Sequence, residues 1–181
     1  PDNQIMGSGT ILDTARLRYG LSEHFKVAQG NIHAYVFGEH GDTSFIPWTG
    51  AYISGLSTDE YYEEMKAHGK DVKPLDKEAM LEYVQKSGGK VIAKKGATFY
   101  AVSATVCQLV GLILAASDSL ATVSSMLHGE YGIEDVCLST LTLVGPNGTQ
   151  GKVQMRMNKE EIALLKKSAD ALKEVIAQIE L

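Results

Sequence analysis

The residues best suited to chemistry lie in one short run, Gly38-Glu39-His40-Gly41-Asp42, and in an upstream trio, Asp13, Arg16 and Arg18. Histidine titrates near pH ~6.5, so modest changes in its surroundings make it an acid or a base at neutral pH. Glycines on both sides let the backbone turn sharply and let a ligand come close. His40 thus has the type and setting to move a proton on and off an alcohol or carbonyl oxygen. Taken alone, the run reads equally well as a turn histidine with acidic neighbours on a solvated loop.

The chain has only three arginines, and two of them are Arg16 and Arg18. Asp13 and Arg16 are three residues apart, so on a helix they share a face. Arg18 lies about 200° around the helix from Arg16, so the two arginines serve different surfaces. An aspartate bonded to the far ring nitrogen of a histidine orients the imidazole and favours its protonated form. An arginine grips a carboxylate through two parallel hydrogen bonds. Such groups together suit a 2-hydroxy or 2-keto acid. The plainer alternatives are a local Asp13–Arg16 ion pair worth ~0.2–0.5 kcal/mol and a solvated Arg18.

These groups need elements to position them. Gly7-Ser8-Gly9 reads as a tight turn and Thr10 as the N-cap of a helix to about Phe25, with Leu12, Ala15, Tyr19 and Leu21 as its apolar positions. The two glycines also match the start of G-x-G-x-x-G. The sixth position is Leu12, no strand precedes it and no βαβ unit follows, so a phosphate-binding loop is rejected. His33 to Phe37 reads as a strand leading into the histidine run, and residues 43–48 as an extended segment that Pro47 bends or places at an edge. Residues 52–58 read as irregular, 59–66 as a short helix and 75–95 as a long helix with a possible bend at Gly88-Gly89. Thr98 then caps an apolar helix to about Ser117, expected as the buried centre of the domain.

Strands are expected at 120–127, 135–143 and 152–157, with Pro146-Asn147-Gly148 as a hairpin turn. A final helix is capped by Asn158 with Glu161 at its third position, and buries Ile162, Leu165, Ala169, Leu172, Val175, Ile176 and Ile179. The sum is one α+β domain over 1–181, long helices packed on an antiparallel meander.

Composition sets limits. The 181 residues are 44% hydrophobic with a net charge of −5, which suits a globular protein and argues against a nucleic-acid surface. No apolar run is long enough to span a bilayer. Cys107 and Cys137 stand apart without metal spacing and read as reduced, buried thiols of a cytoplasmic protein. Pro1 in place of Met leads to the expectation of a fragment, a processed product or the ordered part of something larger.

Three stretches carry a resemblance: Gly7 to Arg18, Gly38 to Asp42, and Lys94-Lys95-Gly96-Ala97-Thr98-Phe99-Tyr100, with Gly129-Glu130-Tyr131-Gly132 in support. In this order and spacing the chain resembles the C-terminal substrate-binding domain of the lactate/malate dehydrogenase family over essentially its whole length. The resemblance implies that His40 is the catalytic acid/base and Asp13 its carboxylate partner. It implies that Arg16 binds the substrate carboxylate, Thr98 lines the pocket, and Ser8 and Val102 border the nicotinamide of NAD. The implied reaction is reversible hydride transfer between lactate and NAD, giving pyruvate and NADH. The Gly96-to-Tyr100 stretch looks more like the lactate than the malate branch. Arg18 and His33 match the effector site of the bacterial branch activated by fructose 1,6-bisphosphate.

The family's N-terminal Rossmann NAD-binding domain, with a mobile loop and a further arginine, is expected to precede Pro1, and the parent family is commonly tetrameric. The chain alone is expected to be inactive. The rival readings are a malate or other 2-hydroxy acid dehydrogenase domain, and a non-catalytic assembly module.

Overall fold

The computed structural model describes residues 1–115 and 117–179. Helix α1 (Ile11–Phe25) is the element on which the others are hung. Its buried row is Ile11, Thr14, Leu17, Leu21 and Phe25, a three-to-four spacing that forms one stripe. The expected stripe is turned by about one residue, since Ala15 and Tyr19 are exposed. The cause is that α1 buries polar groups which have partners, Asp13 and Thr14 among them. Hydrophobic periodicity cannot register those positions.

The segment from Ile32 to Phe37 lies along α1. Only Ile32–His33 forms a strand (β1), pairing antiparallel with β2 (Tyr52–Ile53). Beyond it, the expected strand is extended chain whose polar groups are met by α1 side chains. Thr10 Oγ1 donates to Val36 O at 2.5 Å, and Val36 N–H donates to Thr14 Oγ1 at 3.0 Å. Arg18 Nε–H donates to Ala34 O at 3.1 Å. Thr10 therefore spends its hydroxyl on Val36 and makes no side-chain cap.

β2 turns back into β3 (Leu56–Ser57), giving a small sheet where irregular chain was expected. Ser57 and Glu60 then form a capping box on α2 (Thr58–Ala67). Helix α3 (Lys77–Lys95), capped by Asp76, packs on α1. Leu17, Leu21, Phe25, Ile32, Val36, Ile53 and Val84 form the core between them.

Helix α4 (Tyr100–Leu114) departs from expectation most. Phe99, not Thr98, holds the N-cap position, and only Thr105 and Leu109 are buried. Tyr100, Val102, Val106, Val110 and Leu114 are exposed. The helix is apolar all round, but α1 and the sheet beside it cover one narrow stripe. The helix ends at Leu114, short of the expected Ser117; Ala116 between them lies outside the described residues.

Each of the first two expected long strands is split. β4 (Ser119–Ala121) pairs with β7 (Thr142–Gly145), and β5 (Ser124–His128) pairs with β6 (Glu134–Ser139). The breaks fall at Thr122-Val123 and Thr140-Leu141. At the first, Thr122 O accepts from Thr10 N–H at 3.1 Å, so the turn before α1 takes the ladder position. The turn at 146–148 forms as expected and sends β8 (Gly148–Lys152) back along β7, while residues 153–157 are irregular. All strand pairs described are antiparallel.

Helix α5 (Lys159–Ile176) has the expected Asn158–Glu161 capping box. It buries Leu165 and Ala169 against Phe37, Phe45, Leu127, Val136 and Leu138. A fully buried leucine such as Leu165 contributes about 1.5–3 kcal/mol. Val175, Ile176 and Ile179 are exposed, as are both cysteines, against expectation.

Gly9 shows how tightly the turn before α1 is seated. Its φ is +51°, and a Cβ there would lie 2.6 Å from Ser124 N and 2.8 Å from Thr122 O. Gly9→Ala is expected to cost about 2 kcal/mol or more, read as a lower urea midpoint with unchanged slope. A variant as stable as the parent would contradict this seating.

Candidate active site

Asp13 sits in the first turn of α1, facing inward, with its side chain only 5% exposed. Burying a carboxylate is costly unless both oxygens find partners. Here Oδ1 accepts from Arg16 Nη1–H at 3.1 Å, the expected i,i+3 contact. Oδ2 meets His40 Nδ1 at 2.6 Å, from the other side of the chain.

His40 rides on a loop fixed at its stem. Gly38 N–H donates to Ser139 O at 3.0 Å, Ser139 N–H donates back to Gly38 O at 3.1 Å, and Phe37 pairs with Phe45. On the far side, Gln85 of α3 donates through Nε2–H to Asp42 O at 3.1 Å and to Ser44 O at 2.9 Å. The imidazole is 61% exposed. With Nδ1 on the carboxylate, Nε2 is the nitrogen left for a ligand.

The hydrogen bond to Asp13 raises the His40 pKa above its ordinary 6.5, against opposing pulls from partial burial and from Arg16. The ring therefore carries its proton over more of the neutral range. A raised folded value also means that the pair stabilises the fold fully below the unfolded value and loses that contribution as pH rises through the folded one. The exposure of the ring keeps the contribution small.

Asp13, Arg16 and His40 line one end of a cavity of about 450 Å³. Thr98 and Val102 line it too, beside Gly88, Gly89, Ile92 and Lys95 from α3. The Asp13 contact is the one protein hydrogen bond of the Arg16 guanidinium among the described residues, so most of its planar fork remains for a ligand carboxylate. Ser8 stands outside this wall, in the half-buried turn before α1. Arg18 and His33 form no part of it. Arg18 lies over the Tyr35 ring at 5.0 Å, and His33 is exposed on β1. The helix arithmetic that sent Arg18 away from Arg16 holds.

Sequence reasoning overlooked Gln85, whose clamp on the histidine loop has no motif to announce it. A glutamine on an otherwise ordinary helix face gives no signal until the loop is seen beneath it.

The model of the lactate/malate dehydrogenase alpha/beta C-terminal domain matches residues 10–180. The chain belongs to this family. It is 44% identical over its whole length to an L-lactate dehydrogenase of Acetivibrio thermocellus, covering 56% of that protein. It is 42% identical over 179 residues to L-lactate dehydrogenase 1 of Clostridium acetobutylicum, again covering 56%. The chain thus spans just over half the length of these relatives. In three dimensions it superposes along its full length on an L-lactate dehydrogenase from Clostridium thermocellum, with a TM-score of 0.89, 34% identity and 58% of that chain covered. A minor L-lactate dehydrogenase from Enterococcus mundtii gives 0.91 at 29% identity, with 56% of that chain covered.

Asp13→Asn keeps the shape of the site and removes its charge. The His40 titration midpoint, followed by NMR of the ring carbons, is expected to fall toward 6.5. An unchanged midpoint would show that Asp13 does not set the protonation of His40.

Proposed function

We propose that this chain is the substrate-binding half of an NAD-dependent L-lactate dehydrogenase, which interconverts pyruvate and lactate. The observation that carries the reading is the buried carboxylate shared by His40 and Arg16 at the wall of a cavity. Arg16 grips the substrate carboxylate with its open fork and fixes the 2-keto acid in one pose. Protonated His40, held by Asp13, gives its Nε2 proton to the carbonyl oxygen as that oxygen becomes a hydroxyl. Asp13 orients the ring and stabilises its positive charge, as the carboxylate does in other histidine acid–base pairs. In the reverse direction neutral His40 takes the hydroxyl proton back. Thr98 bounds the space for the substrate side chain.

NADH, when bound, would supply the hydride that the carbonyl carbon takes up. The residues present fit one end of that cofactor: Val102, exposed on the cavity wall, and Ser8 flank the nicotinamide in this proposal. They do not fit its phosphates, because the Gly7 N–H of the Gly7-Ser8-Gly9 turn is taken by Ser124 O at 2.8 Å. The proposal therefore includes a separate NAD-binding domain ahead of Pro1, and an isolated chain that does not turn over. Docking of that domain and assembly into a homo-oligomer, a tetramer in the proposed parent, both draw support from the bare apolar face of α4. No helix among the described residues is long and apolar enough to cross a membrane, in keeping with a proposed cytoplasmic setting.

Arg18 and His33 are proposed as the contact for fructose 1,6-bisphosphate as an activating effector. Arg18 supports this by facing a surface hollow, shared with Gln29 and Gln108, that is separate from the catalytic cavity.

The test is an NADH-oxidation assay of the intact gene product with pyruvate and with oxaloacetate, alongside the 181-residue chain alone. Expected are preference for pyruvate, no turnover by the chain alone, and a loss in kcat of about 10²–10⁴-fold in His40→Gln. Fructose 1,6-bisphosphate is expected to stimulate the parent and not Arg18→Gln. Preference for oxaloacetate would overturn the lactate assignment, and turnover by the chain alone would overturn the two-domain reading. Equal stimulation of the variant would remove Arg18 from the effector site.

A further inference from the structure

We propose that Ser168 of α5 is a positioning residue for His40, acting through a closed ring of hydrogen bonds that fixes the shape of the histidine loop. The proposal rests on the reading of His40 as the proton carrier, and adds the device that holds it in place.

Ser168 is fully buried on α5 and lies far along the chain from the loop it touches. Glu39 N–H donates to Ser168 Oγ at 2.8 Å, next to His40 in sequence. The Ser168 and Thr43 hydroxyls lie 2.9 Å apart. Thr43 Oγ1–H donates to Glu39 Oε1 at 2.5 Å, and Thr43 N–H donates to the same oxygen at 3.2 Å. A hydroxyl has one proton. With the Thr43 proton on the carboxylate, Ser168 provides the proton between the two hydroxyls. The ring then runs from Glu39 N–H to Ser168, to Thr43, and back to the Glu39 carboxylate, with every group satisfied.

This ring accounts for residues that the chemistry leaves unexplained. Gly38 has φ +97°, and a Cβ there would come within 2.7 Å of Ser168 Oγ. The loop approaches α5 so closely that only glycine fits. A Cβ at Gly41 would lie 3.1–3.3 Å from the Glu39 carboxylate, against which the loop folds. Thus Gly38, Glu39 and Gly41 frame the loop, and His40 is the member whose side chain leaves the frame for Asp13. A buried hydroxyl that serves two loop groups loses both when removed, and leaves Glu39 N–H without a partner. The imidazole would then hold Asp13 for only part of the time.

The charged groups around the ring are Asp13 and Arg16 on α1, Lys95 on α3, Glu39 and Asp42 on its own loop, and Asp135 across a neighbouring groove. A change at Ser168 removes none of these charges. It loosens Glu39, a member of the ring, but a carboxylate moving nearer His40 would raise its midpoint, so a fall reports loss of the contact with Asp13.

The experiment compares Ser168→Ala, Thr43→Val and Thr43→Ser in the 181-residue chain, with folding checked by circular dichroism and the His40 midpoint followed by NMR. In Ser168→Ala and Thr43→Val the midpoint is expected to fall toward 6.5, with Thr43→Ser staying at the parental value. A folded Ser168→Ala with the parental midpoint overturns the proposal. Should Ser168→Ala fail to fold, Thr43→Val, at a half-buried loop position, decides by the same criterion. These readings need no turnover, so failure of pyruvate reduction would strike the proposed reaction and leave this result standing.

Discussion

A single carboxylate in the first turn of α1 sets the terms for the rest of the site. Asp13 is buried, and a buried charge persists only when it is surrounded by partners. One oxygen is met locally, three residues along the helix. The other is met by a ring carried on a distant loop, and that requirement ties the loop to the helix. Geometry and electrostatics then serve one another. The contact that makes the burial of Asp13 tolerable is also the one that raises the proton affinity of His40. Arg16 completes the arrangement by supplying positive charge at the edge of the cavity while keeping most of its donors for a ligand.

The chemistry was more legible than the architecture. The Asp13–Arg16 spacing, the glycine-flanked His40 and the opposed direction of Arg18 follow from helix and turn geometry, and the structure brings Asp13, Arg16 and His40 together. Of the caps expected, Asn158 holds, because its target Glu161 is a neighbour in sequence, while Thr10 spends its hydroxyl on Val36 and Phe99 takes the position expected for Thr98. The failures share a cause in long-range pairing. The run at 33–37 has strand composition, yet its carbonyls and amides are claimed by Thr10, Thr14 and Arg18 across the chain. The strands expected at 120–127 and 135–143 break where another segment takes over the ladder.

Helix α4 is the instructive error. An all-apolar helix in a globular chain reads as the core, but burial depends on what lies opposite, and here α1 and the neighbouring sheet cover a single stripe. The exposed residues span the helix and adjoin the cavity through Val102, so the bare apolar surface and the cavity wall are continuous. The two cysteines were misread for a similar reason. Cys137 lies on a strand whose alternate residues face the core, and its own position faces out.

The pairing of α1 with the segment after β1 bears on how the site can move. Thr10 and Thr14 hold Val36 while Asp13, between them in sequence, holds His40 a few residues further along the same segment. The helix thus acts as a jig, gripping both the His40 ring and the strip of backbone that delivers it. A tilt or slide of α1 carries Asp13, Arg16 and the stem of the His40 loop together. Movement of other elements around the cavity can then leave the Asp13–His40 contact intact, while a drier cavity opposes the rise in proton affinity that this contact sets. In such an arrangement, the grip of Asp13 travels with the helix, while the exposure of the ring is set by whatever packs over the cavity.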